Sequence, residues 1–283
     1  MAPRTFTPII AQVRRDPLFA AGVLLALLVI VAGVAAPLLA PADPLTGDLR
    51  GAYLLPPGSH HLFGTDSQGR DVLSRVLFGA RISLAVGLIS QTVSLAIGVS
   101  LGLCSGYYGR WVDTLVMRLA DVTLAFPTLL LLIAVAAAVR PSLPLTFVLI
   151  GIVGWAGMAR LVRGQVLLLR NAEYILAARA LGAPDRRILW RHLLPNVRSP
   201  VIVSVTLGIA GAMMAEAALS FLGLGAQPPT PSWGAMVADG RDLLRVAPWV
   251  SFAPGIALGL AVLAFNLVGD GLRQAFDVRP DIG

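Results

Sequence analysis

The chain alternates between long apolar stretches without charge and shorter polar stretches. Its intervals free of acidic and basic residues are 17–42, 82–109, 122–139, 141–159, 199–215 and 246–269. A transmembrane helix needs about 20 predominantly apolar residues, and these intervals approach or exceed that length, the fifth by continuing past Glu216. The pattern predicts an all-α fold, a polytopic bundle of six transmembrane helices, because lipid requires backbone groups to pair within each helix.

The predicted spans are about 18–40, 82–104, 116–139, 143–161, 200–222 and 248–269. A cytoplasmic tail of residues 1–16 precedes a single membrane domain over residues 17–283. The polar segment 162–198 connects the fourth span to the fifth. Before the second span, a short helix capped by Thr65 or Asp66 is predicted to lie along the membrane surface.

Opposite charges at helical spacing predict ion pairs within single helices. The predicted pairs are Asp71 with Arg75, Arg110 with Asp113, and Arg118 with Asp121. The last two pairs belong to the inner end of the third span, where Asp121 is expected at the membrane boundary.

Arginine determines the predicted orientation, because the sequence contains no lysine. With the N-terminus inside, 15 of the 22 basic residues lie in the cytoplasm, in agreement with the positive-inside rule. Both termini are then cytoplasmic, in a multi-pass protein of the cytoplasmic membrane. The pI of 10.9 and the mean hydropathy of +0.80 therefore indicate membrane topology rather than nucleic-acid binding.

The segment between the fourth and fifth spans is the most basic part of the chain. A short helix containing adjacent alanines is predicted to end at Gly182, where glycine most easily adopts a left-handed backbone. Pro184 suits the first turn of a second helix, and Pro195 is expected to end it. The arginines projecting from this second helix are Arg186, Arg187 and Arg191. Residues 171–196, called the knob below, are thus predicted to form a helix–turn–helix on the inner face.

The spacing of residues in the knob resembles the motif E-A-A-x3-G-x9-I-x-L-P of ABC importer permeases. The positions that correspond to the motif are Leu176, Ala177, Ala178, Gly182, His192, Leu194 and Pro195, and two of them carry a different residue. Leu176 stands where the motif has Glu, so the polar contact of that Glu is not expected here. His192 stands where the motif has Ile, as in the R-H-x-L-P-N variant of the peptide branch.

Three further segments resemble the dipeptide/oligopeptide/nickel permeases of the DppC/OppC type. They are HLFGTDSQGRDVLSR at residues 61–75, EAALSFLGLGAQPPTPSWGAMVADGR at residues 216–241, and NLVGDGLRQAFDVRP at residues 266–280. The resemblance extends from about residue 18 to residue 280. It implies a fold like that of type I ABC importer permeases.

The same resemblance implies one permease subunit of an ATP-driven importer for di- or oligopeptides, with nickel or another small solute as the alternative cargo. The implied partners are a second homologous permease, two cytoplasmic ATPase subunits and an extracytoplasmic solute-binding protein. The chain itself would bind membrane lipid but neither a cofactor nor nucleic acid. ATP and Mg would be used by the ATPase subunits, whose closure would act on the knob.

Two acidic residues are candidates for the translocation path or a gate, namely Glu216 and Asp270. Glu216 is predicted well inside the fifth span, toward its outer side, and carboxylates within membrane spans often have functional roles. Snorkelling to the outer interface, or a hydrogen bond to a neighbouring helix, is the alternative role for Glu216.

Other functions find less support in the sequence. A phosphate-binding loop of the G-x-x-x-x-G-K-[ST] type needs a lysine, so this chain is not expected to hydrolyse ATP itself. A secondary transporter is expected to carry more intramembrane charges or a visible repeat. An intramembrane enzyme is not expected, because no base is predicted close to a nucleophile. A nickel site at His60 and His61 is not expected either, because two adjacent histidines in a loop do not supply convergent ligands. Cys104 is expected to be an inert thiol. The first apolar run exceeds the 7–15 apolar residues of a signal peptide, so we expect a retained helix rather than a cleaved leader.

Overall fold

The structure of the protein is a computed structural model in which residues 12–13, 16–139 and 142–277 are described. The helices, in chain order, are α1 (Pro17–Val34), α2 (Ala36–Leu39), α3 (Val72–Tyr108), α4 (Arg110–Ala125), α5 (Thr128–Ala137), α6 (Leu143–Leu169), α7 (Glu173–Ala180), α8 (Asp185–Arg187), α9 (Leu194–Phe221), α10 (Trp233–Gly240) and α11 (Trp249–Asp277). A π-helical turn, Ile188–Leu193, joins α8 to α9, and a 3-10 turn, Arg241–Leu243, follows α10. The arginines outside the described residues are Arg4, Arg14, Arg15, Arg140 and Arg279.

Several of the helices are long and apolar enough to cross a membrane. Among the described residues, five qualify alone: α1, α3, α6, the continuous helix Asp185–Phe221, and α11. The pair α4–α5 makes a sixth crossing when it is taken as one span. The predicted all-helical membrane bundle is therefore confirmed. Several helices run past the predicted spans, since α6 continues to Leu169 and α11 continues to Asp277.

The prediction of a continuous third span over residues 116–139 is wrong. α4 and α5 are bent by 86° where they meet. Phe126 there has an extended backbone, with φ −92° and ψ 138°, and Pro127 follows it. Proline disfavours the helical conformation in the residue before it and has no N–H to donate, so the helix stops and restarts in a new direction.

The prediction of a separate surface helix before the second span is also wrong. α3 is continuous over 37 residues, about 55 Å at 1.5 Å per residue, which exceeds a hydrocarbon core of about 30 Å. Its cap is Asp71, whose carboxylate accepts a hydrogen bond from Ser74 N at 2.8 Å, and not Thr65 or Asp66. The surplus length indicates that at least one end of α3 extends beyond the hydrocarbon core.

The ion pairs predicted inside α4 are wrong, because its acidic side chains face α6 instead. Asp113 accepts a hydrogen bond from Arg163 Nη2 at 2.6 Å, and Asp121 pairs with Arg160. These bonds join two helices at the end of the bundle that carries the knob. Asp113 also accepts a hydrogen bond from the Ser105 hydroxyl, which adds α3 to the same group.

Small residues allow α3 and α6 to pack closely. The glycines of α3 on this face are Gly98, Gly102 and Gly106, each four residues from the next. A Cβ on Gly102 would lie 2.6 Å from the carbonyl oxygen of Ala159, closer than real Cβ atoms approach an oxygen. Small residues at such spacing are typical of close helix contacts in membranes, where packing provides much of the association energy.

A buried apolar cluster connects the knob to the crossing helices. Its members from the knob region are Ile175, Ile188, Leu189, Leu193 and Val197. Its members from α3 and α6 include Val99, Leu103, Met158, Val162 and Val166. Because these side chains pack in one cluster, displacement of the knob must also move or repack the halves of α3 and α6 that contact it.

Candidate functional site

The turn of the knob has the predicted geometry. α7 ends at Ala180, and Gly182 follows with φ +76°. Gly182 N donates to the carbonyl oxygen of Arg179 at 2.9 Å, and Ala183 N donates to that of Ala178 at 3.0 Å. These two bonds form a Schellman motif, which satisfies the last carbonyl groups of α7. The left-handed conformation predicted for Gly182 is confirmed.

The second half of the knob differs from the prediction at Pro195. Instead of ending a unit there, the chain runs as one helix from α8 through the π-helical turn into α9. Leu194 N donates to the carbonyl oxygen of Leu189, five residues earlier, which is the π pattern. Proline has no N–H to donate, and Pro195 lies just after the π-helical turn, where the regular i→i−4 bonding is already interrupted.

The knob has one face packed against the bundle and one exposed face. The buried side chains are those of Ile175, Ile188, Leu189 and Leu193. The exposed candidate residues are Leu176, Ala177, Gly182, Arg186, Arg187 and Pro195, whereas Ala178, His192 and Leu194 are half-buried. An open hollow of about 570 Å³ lies on the exposed face and is lined by Pro184, Arg186, Arg187 and Trp190. The exposed face thus combines apolar surface with positive charge.

A polar contact that the sequence did not predict ties the knob to α3. The Tyr107 hydroxyl donates a hydrogen bond to Asp185 Oδ1 at 2.7 Å. The guanidinium carbon of Arg179 lies 4.8 Å from the centre of the Tyr107 ring, a cation–π arrangement. Tyr107 therefore contacts both helical halves of the knob, one on each side of Gly182.

The two acidic candidates lie apart. Glu216 is fully buried in the C-terminal half of α9, where the Ser220 hydroxyl donates to its Oε1 at 2.6 Å. Its Oε2 has no hydrogen-bond partner among the described residues. Asp270 is exposed near the other end of the bundle, on α11. The carboxyl of Glu216 is enclosed by protein, and the structure does not unite the two residues in one site.

The polar segment before α3 forms a buried ionic network that the sequence analysis missed. Asp66 Oδ2 accepts a hydrogen bond from Arg70 Nε at 2.7 Å, and Arg75 Nε lies 3.5 Å from the same oxygen. The predicted pair between Asp71 and Arg75 is therefore wrong. Asp71 instead caps α3 and lies 2.9 Å from Nδ1 of His61. The i,i+4 spacing of Asp66 and Arg70 was the available signal.

The two histidines before α3 have different surroundings. His61 pairs with a carboxylate, and its neighbour His60 is exposed. Within the part of the chain that the structure describes, no group of three His, Cys, Asp or Glu side chains could hold a metal ion.

The fold and the knob together define a class of protein, a helical membrane subunit of a transport system. The family described as binding-protein-dependent transport system inner membrane component matches residues 98–281. The chain belongs to this family. It is a multi-pass membrane permease subunit, not an enzyme, and it works with transport-system partners.

Two individual relatives and one solved structure are similar to this chain. The dipeptide transport system permease protein DppC of Alkalihalophilus pseudofirmus is 44% identical over 276 residues, which cover 95% of this chain and 88% of the relative. The glutathione transport system permease protein GsiD of Pectobacterium atrosepticum is 48% identical over 223 residues, covering 79% and 74%. An inward-facing structure of the MetNI methionine ABC transporter has a TM-score of 0.56 at 20% identity, covering 73% of this chain and 97% of the other. That last similarity concerns the fold alone.

Proposed function

We propose that this chain is one permease subunit of an ATP-driven ABC importer for short peptides. Similarity to permeases named for dipeptide and glutathione transport supports the peptide cargo. The protein is a single membrane domain over residues 17–283, with a short tail of residues 1–16. It resides in the cytoplasmic membrane with both termini inside, as its arginine distribution favours.

The proposed complex contains a second homologous permease, two cytoplasmic ATPase subunits and an extracytoplasmic solute-binding protein. ATP and Mg²⁺ act in the ATPase subunits, and this chain binds neither a cofactor nor nucleic acid. Membrane lipid covers the apolar outer faces of its helices. Exposed leucines of α1 support that arrangement, since Leu24, Leu27 and Leu28 are each more than half exposed.

The knob is the proposed coupling element, and its two-sided construction is the observation that carries the proposal. Its exposed face offers Leu176, Ala177, Arg186 and Arg187 to a partner. Its opposite face is continuous with the apolar cluster inside the bundle. A push from closing ATPase subunits therefore reaches α3 and α6 directly, because a close-packed interior transmits displacement.

Reconstitution tests the proposed function. The complete transporter and its binding protein are placed in proteoliposomes, and uptake of radiolabelled dipeptide, glutathione and Ni²⁺ is compared with and without ATP. ATP-dependent uptake of a peptide is the expected result. Uptake of Ni²⁺ alone would replace the peptide cargo, and uptake driven by a proton gradient without ATP would contradict an ABC importer.

A further inference from the structure

A polar cavity of about 400 Å³ lies at the end of the bundle opposite the knob. Its walls come from the start of α3 and the segment before it, from the loop after α9, and from α10. The polar residues that line it include Gln68, Arg70, Arg75, Gln227, Asp239 and Arg241. Sites for small ligands typically measure about 300–1,000 Å³, so this cavity has room for a small solute.

Two arginines form a buried positive wall of the cavity. The side chains of Arg70 and Arg75 are each 4% exposed, and their Nε atoms share one oxygen of Asp66. Arg75 Nη1 also donates to the carbonyl oxygen of Pro44 at 3.1 Å. Within the described residues, the remaining Nη atoms make no hydrogen bond, yet none of them is an enclosed polar atom without a partner. These atoms therefore keep some access to solvent, and both residues line the cavity, where the two guanidinium groups share a single carboxylate.

A separate negative group lines the same cavity from α10. The Asp239 carboxylate is close enough to Arg75 and Arg70 to interact electrostatically, but neither arginine comes within the 4.0 Å of an ion pair. Partial burial raises the pKa of the Asp239 carboxyl, and the two arginines oppose that rise. Arg241 at the rim is 3.5 Å from Asp242, and among the described residues no cation lies within ion-pair distance of the Asp239 carboxylate.

We propose that this cavity binds a small zwitterion, with its carboxylate on Arg70 and Arg75 and its ammonium group on Asp239. The proposal deepens the proposed import of short peptides and rests on it for a place in transport. A dipeptide with free ends carries the two required charges within a few ångströms of each other. The proposed binding site belongs to this chain and lies at the end of the bundle opposite the knob.

The charges explain why a zwitterion fits better than a simple ion. The arginine wall has an excess of one positive charge over Asp66, and the α10 side has the single negative charge of Asp239. The buried charges of the arginine wall need a partner, and guanidinium groups hold carboxylates through paired, charge-assisted hydrogen bonds. Asp239 is exposed, so its carboxylate can attract an ammonium group that enters from solvent. A carboxylate alone satisfies only one side, whereas a zwitterion satisfies both.

Binding is tested with the complete transporter in nanodiscs, without the binding protein. The probe is radiolabelled Ala-Ala, measured by equilibrium dialysis, with N-acetyl-Ala-Ala, Ala-Ala-amide and inorganic sulfate as competitors. We expect saturable binding of Ala-Ala and competition weakened about tenfold or more by blocking either end, since each block removes a charge-assisted contact. Absence of saturable binding, or sulfate competing as well as Ala-Ala, overturns the proposal.

Substitutions assign the ammonium end. Asp239→Asn keeps the shape of the side chain and is expected to weaken Ala-Ala binding about tenfold, while N-acetyl-Ala-Ala competes as well as it does in the wild type. Asp43→Asn is the matched control, because Asp43 is an exposed acidic residue that does not line the cavity. It should leave binding unchanged. Equal affinity of Asp239→Asn and the wild type contradicts the site.

The two proposals fail differently. If Asp239→Asn binds Ala-Ala as the wild type does while the wild type imports peptides with ATP, the cavity proposal fails and the transport role stands. If the wild type binds Ala-Ala through Asp239 but imports no peptide, the binding site stands and the proposed transport function fails.

Discussion

Gly182 follows α7 with a left-handed backbone, which glycine adopts at little energetic cost. A helix ending in a left-handed residue favours glycine, and the structure gives Gly182 φ +76°. A Cβ at this position meets no atom within 4 Å. Glycine is therefore needed for its backbone conformation and not for space.

Gly182→Val tests whether that conformation matters for coupling. A β-branched residue is strained by about 1–2 kcal/mol in the left-handed region, so the knob should change shape. We expect ATP-driven uptake to fall strongly while the complex still co-purifies. Gly182→Asn is the control, because asparagine tolerates this conformation, and it should retain uptake. Full uptake by Gly182→Val would contradict a role for the turn.

Tyr107 could not be identified from sequence, because its partner Asp185 lies 78 positions away. Tyr107→Phe removes the hydroxyl and keeps the ring beneath Arg179. We expect the number of peptides imported per ATP hydrolysed to fall severalfold, since a hydrogen bond to a charged group contributes about 1.5–3 kcal/mol. The ratio is measured in proteoliposomes by parallel uptake and phosphate-release assays.

Tyr108→Phe is the matched control for that experiment. The Tyr108 hydroxyl makes no hydrogen bond among the described residues, and the ring is about half exposed. Its transport ratio should equal that of the wild type. An unchanged ratio in Tyr107→Phe would show that the contact with Asp185 plays no part in coupling.

Helix positions were predictable from the sequence where the chain carries no charge. Helix ends and ion pairs were not predictable where charged side chains pair with another helix. The charge-free intervals overlap each helix or bent helix pair that is long and apolar enough to cross a membrane among the described residues, but α6 runs through Arg160 and Arg163 to Leu169. These arginines pair with acidic side chains of α4. Local spacing had assigned those acidic side chains to arginines of their own helix, because sequence shows i,i+3 neighbours and does not show facing helices.

The contact between α3 and α6 provides an element-scale prediction. Gly102→Ala places a methyl group against the carbonyl oxygen of Ala159, so the helices must separate. We expect a loss of about 1–3 kcal/mol in stability and a lower Tm for the purified protein in detergent. Gly157→Ala on α6 is the control, because its added methyl group meets nothing within 4 Å. Equal Tm values for Gly102→Ala and Gly157→Ala would contradict close packing.

Across the whole molecule, the structure of the knob was more predictable from sequence than the structure of the opposite end of the bundle. The knob lies within one short segment, so its turn and its basic face were visible. The opposite end depends on remote contacts, such as Trp249 Nε1 donating to Thr65 O at 3.1 Å and Trp233 Nε1 donating to Val76 O at 2.9 Å. Partners 184 and 157 positions apart leave no local pattern, so the ionic network and its cavity required the structure.

The central claim is that the knob faces the cytoplasm, where ATPase subunits can act on it. The direct test replaces Cys104 with Ser and adds one cysteine, Arg187→Cys in the knob or Ser59→Cys before α3, both at exposed positions. Right-side-out vesicles are treated with a membrane-impermeant maleimide. The account predicts labelling at position 59 in sealed vesicles and at position 187 only after permeabilisation. Labelling at position 187 in sealed vesicles would contradict it.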